Sequence, residues 1–121
     1  MTAENQDFTI TRGDHAQLLI TVRDSDDNPK LLTGATINWQ CAPREVSATA
    51  IISKISGVSP SEIDIVGGSP DDEFIVFLVP ADTILLTEKF YYHEAEVTDI
   101  NGNIVTVTRG LITTKPQLIG V

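Results

Sequence analysis

The fold of this chain is decided by the stretch Ala35-Thr36-Ile37-Asn38-Trp39-Gln40-Cys41, in which apolar and polar residues alternate. Alternation with a period of two places successive side chains on opposite faces, as in a strand with one buried face. The apolar face of this stretch carries the chain's single tryptophan and its single cysteine. We therefore expect a half-buried strand, with Trp39 as the anchor of the core and Cys41 as a buried, inert thiol.

The same alternation recurs along the rest of the chain, and no long helical periodicity interrupts it. Thr, Val and Ile make up 38 of the 121 residues, and these β-branched side chains favour strands. This pattern predicts an all-β fold, a single immunoglobulin-like antiparallel β-sandwich of about eight strands. The further predicted strands are Phe8–Thr11, Leu18–Arg23, Ala48–Ile55, Glu62–Val66, Glu73–Val79, Phe90–Thr98 and Ile104–Thr113.

Three local patterns add detail to this sandwich. The segment Glu73–Val79 is almost continuously apolar, which is typical of a strand buried on both faces. Pro80 then ends the strand, and one helical turn is expected after it, because the Asp82 carboxylate can accept hydrogen bonds from exposed backbone N–H groups. Further along, the dipeptide Asn101-Gly102 predicts a tight hairpin between the last two strands.

Length and charge limit the domain organisation and the classes of partner. We expect one domain spanning residues 1–121, with flexible arms at 1–6 and 116–121. The net charge of −9 disfavours nucleic acid as a partner, and no apolar stretch approaches the roughly 18 residues of a membrane span. A single cysteine excludes an intrachain disulfide, so we expect folding in a reducing cytoplasm.

The residues that usually carry chemistry are too scattered to predict a catalytic, cofactor or metal site. His15, Cys41 and His93 do not lie at ligand spacing from one another. The acidic stretch Asp24–Asn28 resembles the start of an EF-hand loop, but Pro29 stands where that loop needs glycine. We therefore expect no catalytic residues, no cofactor and no bound metal, and Asp24–Asn28 as a metal-free turn.

Five segments follow one another along the chain: Arg12-Gly13-Asp14, Leu32-Thr33-Gly34-Ala35-Thr36-Ile37-x-Trp39, Ala81-Asp82-Thr83-x-x-Leu86, Tyr91-Tyr92-x-Glu94-x-x-Val97-x-Asp99-x-x-Gly102 and Val105-Thr106-Val107-x-x-Gly110. This series, which spans about residues 8–113, resembles the N-terminal domain of the phage upper baseplate protein family and related small tail or virion proteins. The resemblance implies a β-sandwich adaptor without catalytic residues that docks onto a phage tail or virion core. In that family a long C-terminal part follows the domain, so a free-standing module implies an accessory, connector or decoration protein, or a fragment.

We therefore expect a phage or prophage structural protein of the tail, baseplate or head–tail region, located in the virion and bound to other phage structural proteins. An alternative is a carbohydrate-binding or adhesion sandwich that uses exposed aromatic residues such as Tyr91 or Tyr92. A small hydrolase is a third and weaker alternative, because no nucleophile elbow or paired general acid and base stands out.

The apolar residues Leu118, Ile119 and Val121 form the candidate interface of a homo-oligomer. They follow Pro116, and we expect these large apolar side chains to be buried, either against the chain's own sandwich or against a neighbouring copy. Light scattering at tens of micromolar is expected to give a closed oligomer for the intact chain and a smaller mass for a chain truncated after Lys115. A monomer in both samples would show that the chain does not self-associate.

Overall fold

The computed structural model describes residues 4–22, 32, 34–43, 49–58, 60–66 and 73–116. Regular structure in these ranges is nearly all β-strand, with one short helix. Most strands coincide with the alternating stretches, because such stretches cover a core with one face and meet water with the other. In chain order the elements are β1 (Glu4–Asn5), β2 (Phe8–Thr11), β3 (Ala16–Thr21), β4 (Thr36–Ala42), β5 (Ile52–Ile55), β6 (Ile63–Val66), β7 (Glu73–Leu78), α1 (Pro80–Thr83), β8 (Phe90–Thr98) and β9 (Ile104–Lys115).

The strands form two sheets in a sandwich-like arrangement. In the six-stranded sheet, β9 carries β1 and β2 on one side and continues through β8 and β4 to β5. The second sheet has three strands in the order β3-β7-β6. The predicted all-β sandwich is confirmed. Both sheets contribute to one core of buried apolar residues, which includes Leu18, Ile20, Ile37, Trp39, Cys41, Phe74, Val76, Leu78, Tyr91, Ala95, Val97, Val107 and Ile112.

The hairpin predicted at Asn101-Gly102 is confirmed. It joins β8 to β9, which pair antiparallel along their length. Gly102 has a φ of +86°, a left-handed conformation that side chains other than glycine rarely adopt. The Asp99 carboxylate accepts hydrogen bonds from the N–H groups of Asn101 and Asn103 at 2.9 and 3.0 Å, which fixes the turn.

The edge of the six-stranded sheet differs from the prediction, because β1 and β2 pair with β9 in parallel. In this register Phe8 lies opposite Ile112. The first and last strands are not joined by a hairpin, so no local turn imposes an antiparallel direction, and the sheet is mixed. The flexible arm expected at residues 1–6 is wrong for residues 4–6. They pair with β9 instead, and the Gln6 N–H donates to the Arg109 carbonyl at 3.0 Å.

The prediction that Glu73–Val79 is buried on both faces is also wrong. Every second residue of β7 from Phe74 to Leu78 is buried, whereas Ile75 and Phe77 between them are only half-buried. The physical reason is the position of β7, which is the central strand of a three-stranded antiparallel sheet. One face of such a sheet packs on the core while the other meets water.

Pro80 ends β7 and begins α1, as the sequence predicts. The Asp82 carboxylate accepts a hydrogen bond from the Val79 N–H at 2.9 Å, so the expected cap of this turn is confirmed. The same carboxylate pairs with the Lys54 ammonium of β5 at 2.7 Å, and both side chains are largely buried. This ion pair connects β5, at the edge of the six-stranded sheet, to α1, which follows β7 of the three-stranded sheet.

Trp39 is fully buried on β4, between β5 and β8. We expect Trp39→Ala to lower the free energy of unfolding by about 3–5 kcal/mol, because a large core side chain is removed and a cavity is left. Urea denaturation measures this change. The matched control is Ile104→Ala on the exposed end of β9, which should alter stability by about 0.5 kcal/mol or less. Equal effects of the two substitutions would contradict the anchoring role of Trp39.

Candidate functional site

β8 divides its side chains between the core and the outer surface. Tyr91, His93, Ala95 and Val97 share one face and are all buried. Phe90, Tyr92, Glu94 and Glu96 share the other face and are all exposed. Each face of β8 therefore has its own chemistry.

On the inner face, His93 joins the core to the N-terminal segment. The Trp39 Nε1–H donates to His93 Nδ1 at 3.1 Å. Because an indole nitrogen only donates, Nδ1 must be the acceptor, and the ring proton lies on Nε2. His93 Nε2 lies 2.6 Å from the Gln6 carbonyl oxygen and donates to it in this tautomer. Both ring nitrogens of His93 are therefore satisfied in the neutral state.

The surroundings of His93 favour this neutral state. Burial lowers the pKa of His93, while the hydrogen bond to Gln6 and the charge of Asp7 act in the opposite direction. Cys41 lies opposite His93 on β4, and burial raises the pKa of its thiol to about 12. The ring of Phe8 lies over His93 with the centroids 5.3 Å apart. Neither neighbour supplies a negative charge that would stabilise an imidazolium.

The short link between β1 and β2 joins the two sheets through Gln6. The Gln6 amide donates from Nε2 to the Thr21 carbonyl at 3.2 Å and to Thr108 Oγ1 at 3.0 Å. Its oxygen accepts a hydrogen bond from the Thr21 N–H at 3.3 Å. Because Thr21 belongs to the three-stranded sheet and Thr108 to the six-stranded sheet, one side chain spans both layers.

Gln6 does not stand out in the sequence as a structural or functional residue. Gly110, a glycine inside a predicted strand, does indicate that another part of the backbone lies close to it. A Cβ atom at Gly110 would collide with the Gln6 carbonyl, so only glycine lets the link lie this close to β9. Asp7 holds the link against β9, since its carboxylate accepts a hydrogen bond from the Leu111 N–H at 2.9 Å. A glycine inside a predicted strand commonly marks such a close approach of another backbone.

The outer face of β8 and β9 carries a cluster of exposed apolar side chains. Phe90, Tyr92 and Leu111 are 50%, 36% and 37% exposed, and Tyr92 lies directly opposite Leu111 in the strand register. We call these three residues the outer-face patch. Glu94 and Arg109 beside it form an exposed ion pair at 3.7 Å, which contributes little to stability.

The carbohydrate alternative depended on exposure of Tyr91 or Tyr92. The structure corrects this for Tyr91, which is buried and whose hydroxyl oxygen accepts a hydrogen bond from the Glu88 N–H at 2.8 Å. Tyr91 faces the core because the alternation of β8 assigns it to the inner face together with His93. Only Tyr92 of the pair is exposed.

Several predicted positions lie outside the residues that the structure describes. These are the acidic turn Asp24–Asn28 and the candidate interface residues Leu118, Ile119 and Val121. Within the described ranges, no group of three or more His, Cys, Asp or Glu residues could hold a metal ion. No helix in the same ranges has the length and apolar character needed to cross a bilayer.

The buried histidine predicts how stability depends on pH. Because the pKa of His93 is lowered in the folded state, the unfolded chain takes up a proton first as the pH falls. We expect the stability contributed by neutral His93 to be complete above about pH 6.5, the ordinary value for histidine, and to decrease below it. Urea denaturation at pH 7.5, 6.5 and 5.5 measures the decrease.

His93→Gln is the matched variant, because a glutamine amide offers one acceptor and one donor group but does not titrate. The wild-type protein should lose more stability than His93→Gln between pH 7.5 and 5.5. Parallel pH profiles for the two proteins would mean that His93 does not control this decrease.

Comparison with known proteins adds no relative to this picture. Neither a protein-family model nor a curated protein sequence matches the chain. The function therefore has to be inferred from the fold, the outer-face patch and the sequence motifs.

Proposed function

We propose that this chain is a non-enzymatic structural protein of a phage or prophage, an adaptor module of the tail, baseplate or head–tail region that acts by protein–protein docking. The ordered motifs that resemble the upper baseplate protein family support this role. The sandwich described above fits it, because a rigid β framework can present a fixed surface to a partner. Other phage structural proteins are the proposed partners, and the virion is the proposed location.

The observation that carries the proposal is the outer-face patch. Monomeric proteins rarely leave neighbouring large apolar side chains exposed without a binding role. Phe90, Tyr92 and Leu111 lie on two paired strands, so their relative positions are fixed before any partner arrives. Aromatic residues of this kind are enriched at the centres of protein interfaces.

We also propose that the sandwich is of the immunoglobulin type. If β3 to β9 are lettered B, C, C′, D, E, F and G, one sheet contains the neighbours C, F and G and the other has the order B-E-D. These are the strand neighbours of immunoglobulin sandwiches. The Tyr91 hydroxyl at the start of β8 bonds back to the Glu88 N–H, which is the arrangement of a tyrosine corner.

Adhesion to a carbohydrate remains the second candidate, and Tyr92 alone supports it. A sugar site generally needs polar groups arranged around its aromatic surface. The cross-strand neighbour of Tyr92 is Leu111, and on the other side it pairs with Ala42 of β4. Although the Glu94–Arg109 ion pair lies beside the patch, both cross-strand neighbours of Tyr92 are apolar, so the patch favours a protein partner over a glycan.

The proposal is tested by following the chain into phage particles. We expect mass spectrometry of particles purified from a producing host to detect the wild-type protein. The double variant Phe90→Ser/Leu111→Ser should be incorporated at least about tenfold less, because it removes apolar contacts worth more than about 1.4 kcal/mol.

The control is Ile104→Ser, which replaces an exposed apolar residue near the other end of β9 and should leave incorporation unchanged. Thermal melting of each purified variant checks that folding is retained. A chain that is absent from the particles would contradict the phage role, and equal incorporation of all variants would contradict docking through the outer-face patch.

A further inference from the structure

A groove of about 500 Å³ lies at the end of the sandwich where β2 and β9 end and β8 begins. Backbone hydrogen bonds fix its walls. The Arg12 N–H donates to the Lys115 carbonyl at 2.9 Å, and the Thr114 N–H donates to the Lys89 carbonyl at 2.8 Å. The hydrogen bond from the Glu88 N–H to the Tyr91 hydroxyl fixes the loop that precedes β8. The groove is therefore held in shape by the sheet.

Two positive charges line this groove. Arg12 donates from Nε to the Ile84 carbonyl at 3.0 Å, so its guanidinium is held in place while its terminal amino groups have no partner among the described residues. The Lys89 ammonium lies 5.3 Å from the centre of the Phe90 ring, and no carboxylate of the described residues forms an ion pair with it. By contrast, Lys54 and Arg109 each have a carboxylate within 4 Å. In a chain of net charge −9, the groove is a local site for a negative group.

The remaining lining residues mix apolar and polar groups. Pro116 is exposed and supplies aliphatic surface, Leu86 is fully buried in the core, and Glu88 contributes an exposed carboxylate.

We infer that this groove binds an extended acidic segment of a partner protein. A carboxylate of the segment pairs with the guanidinium of Arg12 and the ammonium of Lys89, because a fixed guanidinium can bind a carboxylate through two parallel hydrogen bonds. An apolar side chain next to that carboxylate packs on the exposed ring of Pro116. This site differs in chemistry from the outer-face patch, and the inference stands whether or not that patch binds a partner.

Two features favour a peptide over other anionic ligands. None of the described lining residues is aromatic, so they offer no ring face on which a sugar could stack. The carboxylate of Glu88 and the net charge of −9 oppose a polyanion such as nucleic acid. A short segment with one or two carboxylates avoids most of that repulsion.

Fluorescence polarisation with a labelled Asp-Leu-Glu-Leu-Asp peptide tests the inference. Arg12→Gln and Lys89→Gln should each weaken binding about tenfold, because each removes a charged partner of the carboxylate. Glu88→Gln should strengthen binding about threefold, because it removes a like charge. This gain cannot result from damage to the fold. The matched control Arg109→Gln makes the same change in net charge outside the groove and should leave the affinity unchanged.

A second peptide, Asn-Leu-Gln-Leu-Asn, has the same shape without the charges and should not bind. The inference is overturned if the two peptides bind equally, or if Arg109→Gln weakens binding as much as Arg12→Gln. It is also overturned if no binding is detected at millimolar peptide, or if oligosaccharides of glucuronic acid bind more tightly than the acidic peptide.

Discussion

The hydrogen bond between the His93 imidazole and the Gln6 carbonyl is the contact on which the rest of the structure depends. It fixes the N-terminal segment against β9 between β1 and β2, and the absent side chain of Gly110 makes room for this close approach. From this point the Gln6 side chain reaches Thr21 in the opposite sheet. The position of the first strands, the contact between the two layers and the orientation of Trp39 are thus coupled through one neutral imidazole.

The same histidine links the core to the outer surface, because it belongs to the strand that carries the outer-face patch. Phe90 and Tyr92 alternate along β8 with buried residues that have little freedom to move. A surface supported in this way loses little conformational entropy on binding, so its apolar contacts can contribute more fully to affinity. The Arg12 and Lys89 groove is supported in a similar way by the ends of β2, β8 and β9.

Most of the individual strands could be predicted from the sequence, but their partners could not. The alternation around Trp39 identified the buried face of that strand, because period-two burial is a local property. Along Phe90–Thr98 the same alternation separated two faces, but it did not show whether Tyr91 or Tyr92 is buried. The parallel pairing of β2 with β9 depends on contacts across most of the chain, and the sequence around Phe8 does not encode them. The groove could not be foreseen either, since Arg12 and Lys89 are brought together only when the first and last strands meet.

The parallel pairing also has a mechanical consequence. Because β2 and β9 run in the same direction, a force that pulls the start of β2 away from the end of β9 acts along both strands. Such a force loads the hydrogen bonds between the strands in shear, so many must break together instead of opening one after another. In a particle whose parts bear mechanical load, a domain with this pairing would stay folded until the hydrogen bonds between the two strands break together.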